Sequence, residues 1–257
     1  MNILPGVKAY LDAITYKYQV ENNAEIIQLD QVLGIRYPQW LPQPWPRSFN
    51  YQLEFFTGDY PPPQVKNQIL TFLKNNPEEY IVNIFSEKLH QLIPAYRDQG
   101  YLHAWSNILM FRKLPAHEKI SRPSGVEIKL VKTIRDVSLV NTIEPDYPSS
   151  TNGLDDPSIH NLAAFYQGEV CAKAQVITLN GKFAYIADIF THPDFRRRGI
   201  STTLLQEMHQ IALKAGKSMS ILVPSKMTRE FDLFHKFSYQ VLIEMALLVP
   251  EIRQTQG

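Results

Sequence analysis

The chain has 257 residues, 44% of them hydrophobic and 20% charged, and its formal net charge is +1. That is the composition of an ordinary globular protein long enough for two modest domains, and the near-neutral charge argues against nucleic acid or an acidic membrane surface as partner. No run approaches the ~18 apolar residues that span a bilayer, and Met1-Asn-Ile-Leu-Pro5 lacks the basic start and apolar core of a signal peptide, so a cytoplasmic location is expected.

Residues from Pro5 to about Val20 carry a helical pattern, and a second short helix is expected from Ala24 to Leu33. The aromatic and proline segment Tyr37-Pro-Gln-Trp-Leu-Pro-Gln-Pro-Trp-Pro46 reads as neither helix nor central strand, because proline supplies no amide donor. A strand follows over Phe49–Phe56. Val65, Ile69, Leu70 and Leu73 then mark a helix, Tyr80–Phe85 a strand, Glu87–Tyr96 a helix and Tyr101–Arg112 a long strand. The polar, proline-containing stretch from Leu114 to Gly125 reads as a boundary. It divides a segment 1–114 from a domain 125–257, with 115–124 as linker.

Beyond the boundary, 126–131 alternates as a half-buried strand, 134–143 reads as a short helix, and 144–158 as a loop rich in turn formers. Strands are expected over 161–166 and 170–178, with Asn180-Gly181 as a hairpin signal leading into a strand over 183–190. Cys171, the one cysteine, lies on a strand and is expected to be a buried thiol. A single cysteine provides neither an internal disulfide nor a thiolate zinc site, and no metal is expected. A helix then places Ile200, Leu204, Met208, Ile211, Ala212 and Ala215 on one stripe, with Gly216 as its C-cap. A strand over 218–223, a helix over 228–236 and a final strand over 239–249 complete the chain. The expected fold class is α+β, with a mixed, mostly antiparallel central sheet flanked by helices.

The stretch from Thr191 to Leu205 ends a strand, turns through Arg196, Arg197, Arg198 and Gly199, and opens an amphipathic helix. Such a turn aims backbone amides from the positive end of a helix, with side chains kept clear. These are the requirements for holding a diphosphate. Gly199 permits a close approach that a side chain would obstruct.

The string Asp188-Ile-Phe-Thr-His-Pro-Asp-Phe-Arg-Arg-Arg-Gly-Ile-Ser-Thr-Thr-Leu-Leu205 resembles the acyl-CoA-binding motif of the GNAT N-acyltransferases. The family signature Gln/Arg-x-x-Gly-x-Gly/Ala is matched by Arg196-x-x-Gly199-x-Ser201, with serine as the small last residue. Leu233-Phe-His-Lys-Phe-Ser-Tyr239 is similar to the family's closing Leu-Tyr-x-Lys-x-Gly-Phe segment. The resemblance covers about residues 125–249. It implies a GNAT-like catalytic domain using acetyl-CoA as co-substrate and a primary amine of a small molecule or peptide as acceptor. Arg196, Arg197, Arg198, Gly199, Ile200, Ser201 and Thr202 are implied in holding the diphosphate, and Ile189, Phe190 and Thr191 in pairing with the pantetheine arm. The alternative is an acyl-CoA-binding sensor or interaction protein without turnover. A homodimer is left open.

Residues 49–113 read as a degenerate copy of half of the same core. Where the diphosphate turn should stand, Tyr60-Pro-Pro-Pro63 removes three consecutive amide donors. This half is therefore expected to bind no coenzyme A.

Asp188, on the central strand just before the turn, is the candidate general base. A carboxylate on a mostly apolar strand is expected to have a raised pKa. The same carboxylate could instead cap or pair within the sheet. The family's leaving-group acid is a tyrosine, and that position is Phe234 here, so no acid is assigned. Tyr239 is expected to pack in the core, and His235 to lie on a surface. The acceptor is expected at the loop from Asp146 to Ser158, the end of the strand after Gly216 and the Trp40/Trp45 segment; Asp146, Asp155 and Asp156 either attract a cationic amine there or are only solvated, as acidic loop residues usually are.

Overall fold

The computed structural model describes residues 3–42, 50–74, 77–117, 120–224 and 229–251. In chain order the elements are α1 (Pro5–Asn22), β1 (Glu25–Gln28), β2 (Leu33–Pro42), β3 (Asn50–Thr57), α2 (Pro62–Leu73), β4 (Tyr80–Phe85), α3 (Leu89–Arg97) and β5 (Tyr101–Lys113). Then come β6 (Val126–Leu130), α4 (Ile134–Asn141), β7 (Ile159–Tyr166), β8 (Glu169–Ile177), β9 (Phe183–Thr191), a 3-10 turn (Pro193–Phe195) and α5 (Ile200–Lys214). The chain closes with β10 (Met219–Leu222), α6 (Arg229–Lys236) and β11 (Gln240–Pro250).

Two compact units result. One comprises Met1–Lys8, Asn22–Met110 and Val223–Gly257; the other comprises Ala9–Glu21 and Phe111–Leu222. This division differs from a cut at 115–124, because most of α1 packs with the later strands.

In the first unit the strand order is β1-β2-β3-β4-β11-β5. Parallel pairing of β3 with β4 runs from Leu53↔Tyr80 to Thr57↔Ile84, so the two strands stay joined to the last residue of β3. Phe55, Val65, Ile69, Val82, Ile84 and Tyr96 are among the buried residues of its core.

Two expectations fail in this unit. The stretch from Ala24 to Leu33 is not a helix: β1 pairs antiparallel with β2 from Glu25↔Arg36 to Gln28↔Leu33. Its isoleucines alternate, Ile27 turning into the core, and the segment is too short to nucleate a helix on its own. Residues 37–42 are the end of strand β2 rather than irregular chain. Because β1 pairs only as far as Arg36, the prolines beyond it sit where one edge of β2 has no β1 ladder bond to lose. The β2–β3 register also shifts there, between Arg36 and Leu41. Trp45 and Phe49 lie outside the described residues.

In the second unit the order is β10-β9-β8-β7-β6, antiparallel except for the parallel pair β9–β10. α5 packs on β8 and β9, burying Ile200, Leu204, Leu205, Met208 and Ala212. Gly216, at φ +74°, ends that helix. Its amide bonds to Leu213 O and the Lys217 amide to Ala212 O, the paired bonds of a glycine C-terminus. Cys171 is fully buried, and burial pushes its thiol up to about 11.

Candidate active site

The site begins where two parallel strands part. β10 pairs with β9 at Phe183, Ala184 and Tyr185 only, whereas β8 follows the other edge of β9 as far as Thr191. From 186 to 191 the edge of β9 that faced β10 therefore has no strand partner among the described residues. An extended polar chain can take those main-chain donors and acceptors.

Within this stretch β9 is bulged. Lys173 pairs with Phe190 and Gln175 with Ala187, so Asp188 and Ile189 together stand opposite the single Ala174. Asp188 has φ +52°, a left-handed conformation that aspartate tolerates better than most residues. Such bulges re-aim a side chain and break the ladder locally.

After Thr191 the chain passes through the 3-10 turn and two left-handed residues, Arg197 (φ +63°) and Gly199 (φ +78°), and enters α5. Gly199 is the N-cap and offers no side-chain cap. The first backbone bond into the helix is Thr203 N–H to Gly199 O, so the amides of Ile200, Ser201 and Thr202 have no helical acceptor. The start of α4 differs: the Thr133 side chain accepts from the Asp136 amide and the Asp136 carboxylate from the Thr133 amide. One helix start is plugged by its own side chains and the other is left bare. A Cβ on Gly199 would come within 3.0 Å of Pro123 Cγ, and Thr191 Oγ1 lies 2.9 Å from Ser201 Oγ, tying the strand end to the first turn of α5.

The arginines divide by role. Arg196 turns back, its Nε donating to Thr191 O at 3.0 Å. The Arg198 guanidinium lies 4.8 Å from the Tyr166 ring centroid and 5.8 Å from that of Phe195. Both therefore brace the loop, and Arg197 is exposed. The bare amides, left-handed bends and absent Cβ suit a diphosphate cradle. The corresponding α2 has Pro61 as N-cap and Pro62 and Pro63 in its first turn. Those residues have no amide hydrogens to offer.

Asp188 is the point at which the sequence reading needs correction. Its side chain is 49% exposed, and one carboxylate oxygen pairs with the ammonium of Lys17 on α1. Burial works to raise its pKa, but the charge and hydrogen bond of Lys17, with Lys173 further off, bring it below the usual carboxylate range. The expectation of a raised pKa is wrong because the strand's apolar neighbours are outweighed by a cation from another element. Burial instead raises Glu21, whose carboxylate lies 3.9 Å from Lys17 Nζ and accepts from Gln175 Nε2.

Lys17, Glu21, Gln175, Lys173 and Glu144 are site residues that sequence reasoning missed. Lys173, 6% exposed, pairs with Glu144 at 2.7 Å and donates to Tyr147 O. It thereby pins the start of the 144–158 loop beside Phe190, its partner across the strands. The i, i+4 spacing of Lys17 and Glu21 was visible, but nothing local says that this pair faces β9.

Asp156 is committed to structure, accepting from Tyr16 OH at 2.7 Å and from the Ser158 amide at 2.8 Å. Asp146 and Asp155 are exposed. A cavity of about 640 Å³ opens against the later part of the loop, lined by Val20, Lys132, Ile134, Leu154, Asp155 and Pro157 among others. In the first unit, Phe234 is 5% exposed and packs edge-on against the buried Tyr239, ring centroids 5.9 Å apart. His235 is exposed and lies against Phe231 at 4.3 Å.

Among the described residues no cluster of His, Cys, Asp and Glu is arranged to hold a metal ion, and no helix is long and apolar enough to cross a membrane.

Residues 132–237 match the family described as Acetyltransferase (GNAT) family. No curated protein matches the chain. Its fold is similar to that of a GCN5-related N-acetyltransferase from Kribbella flavida, at 14% identity, covering 96% of both chains with a TM-score of 0.70. A GCN5-related N-acetyltransferase from Sphaerobacter thermophilus is similar over 86% of this chain and 81% of its own, at 15% identity and a TM-score of 0.58. A tandem GNAT protein from the clavulanic acid biosynthesis pathway is similar over 84% and 82%, at 7% identity and a TM-score of 0.57. The fold is thus GNAT-like, and the N-terminal half also folds like a GNAT core.

Proposed function

We propose that this chain, whose residues 132–237 form a GNAT acetyltransferase domain, is an acetyl-CoA-dependent N-acyltransferase that passes the acyl group directly to a primary amine of a small molecule or peptide. The observation that carries this reading is the parting of β9 from β10 after Tyr185 next to the uncapped start of α5. The opened edge from Ile189 to Thr191 is suited to a pantetheine arm. The amides of Arg197 to Thr202 are suited to a diphosphate.

When bound, acyl-CoA supplies the activated thioester. The chain's contribution is mainly to position it against the amine. As the amine nitrogen bonds to the thioester carbon and the C–S bond breaks, a main-chain amide on the open edge of β9 would donate to the carbonyl oxygen, and the coenzyme A thiolate would leave and take its proton from water. Asp188, ionised and half-exposed, attracts the amine in its ammonium form and takes up its proton, directly or through water. Its depressed pKa makes it a weak base, so holding the amine counts for more than proton affinity.

Phe234 favours a second reading, an acyl-CoA-binding sensor, because it stands where the family's tyrosine would protonate the thiolate. Thiol release from acetyl-CoA across a panel of primary amines separates the two. Amine-dependent release supports the transferase, and tight acetyl-CoA binding without release over a broad panel supports the sensor.

A further inference from the structure

α1 lies wholly outside the family-matched segment, yet it is anchored onto the second unit at several points. The Tyr10 ring meets Tyr185 edge-on at 5.3 Å, and Tyr16 OH donates to Asp156. Ser150 Oγ and Asn152 Nδ2 both donate to Glu21 O, each at 3.0 Å. Gly153 sits so close that an added Cβ would lie 2.8 Å from Val20 Cγ1. These contacts fix the rotation of the helix and aim Lys17 at the bulge of β9.

Lys17 is 9% exposed in its side chain and is shared between Asp188 and Glu21. A buried ammonium is costly unless carboxylates compensate it, and removing one partner exposes that cost. The left-handed bulge position of Asp188 would otherwise leave a half-exposed carboxylate free to rotate.

We propose that Lys17 is a positioning residue of the acyl-transfer site, fixing the orientation and charge of Asp188 from a helix that the family-matched domain does not contain. One Asp188 oxygen is thereby held by Lys17, which leaves the other for the acceptor amine. The charged and titratable groups around this pair are Tyr18 and Glu21 from α1, Lys173 from β8 and Tyr185 from β9, with Glu144 balancing Lys173. The proposal rests on the transferase reading.

The test uses the full chain and the variants Lys17→Met, Lys17→Arg, Asp188→Asn and the double variant K17M/D188N. Carboxyl-detected NMR titration of Asp188 needs no turnover. Lys17→Met is expected to raise the Asp188 midpoint by about one unit or more, the scale of losing an adjacent opposite charge, while Lys17→Arg keeps it near that of the wild type. At saturating acetyl-CoA, Lys17→Met is expected to lower kcat about tenfold or more with KM for acetyl-CoA unchanged. The double variant should be no slower than Asp188→Asn, as expected for residues acting as one unit.

An unmoved Asp188 midpoint, or additive losses in the double variant, would overturn the proposal. Should Lys17→Met fail to fold, the titration and kinetics of Lys17→Arg decide. A midpoint or kcat far from the wild type, despite the retained charge, counts against positioning by the ammonium. A wild-type chain without turnover on any amine defeats the transferase reading, and the titration alone then decides the Lys17–Asp188 coupling.

Discussion

Gly199 and Pro123 meet so closely that a single added carbon at 199 would come within 3.0 Å of the proline ring. The loop before β6 thus rests on the bend that opens α5, and the bend itself is left-handed. Gly199→Ala is expected to lower stability by about 1–2 kcal/mol, the scale of a left-handed strain on a residue with a Cβ. Gly199→Asp adds a carboxylate beside the bare amides and is expected to abolish coenzyme A binding. Calorimetry with coenzyme A reads the second effect, and an unchanged affinity would contradict the cradle.

The contrast between the two helix starts gives a control. Thr133→Ala removes the cap of α4 and is expected to lower the unfolding free energy by about 1 kcal/mol, within a range of about 0.5–2. Coenzyme A affinity should be unaffected, because the amides of α4 are occupied by its own side chains. Denaturant melts and a binding isotherm on the same sample check both statements. A loss of affinity matching that of Gly199→Asp would place the ligand elsewhere.

Much of the site's scaffold was legible in the sequence, and its reasons are local. Strand alternation read β6 to β9 to within a residue or two. The arginine and glycine turn read as a helix start with open amides, because the glycine and the apolar stripe of α5 are both local signals. What could not be read depends on distance. Asp188 alternates like any strand residue, so its bulge is invisible until β8 is laid beside it. Lys17 lies 171 positions away from it in sequence. β1 reads as helix in the sequence because four residues carry too little periodicity to choose, and pairing with β2 decides the matter.

The first unit offers a pH-dependent prediction. Glu54 on β3 accepts from Tyr37 OH and Asn83 Nδ2, each at 2.8 Å. Burial pushes its carboxyl above the usual range, with the two donors opposing. A group whose folded pKa is raised adds stability below its unfolded pKa and loses that contribution as pH rises through the folded value. The Glu54→Gln variant is therefore expected to gain stability relative to the wild type as pH rises from the usual carboxylate range toward neutrality. Unfolding midpoints of the two proteins across that range check the sign, and a constant difference would contradict it.

The central claim is that the bare start of α5 and the open edge of β9 hold the diphosphate and arm of acyl-CoA, while the proline-led start of α2 holds nothing. Backbone amide NMR of the full chain titrated with coenzyme A tests it most directly. The account predicts saturable shifts at Ile189 to Thr191 and at Arg197 to Thr202, with the amides of residues 64–66 at the start of α2 unmoved. Shifts centred on α2, or no saturable shift at α5, would contradict it.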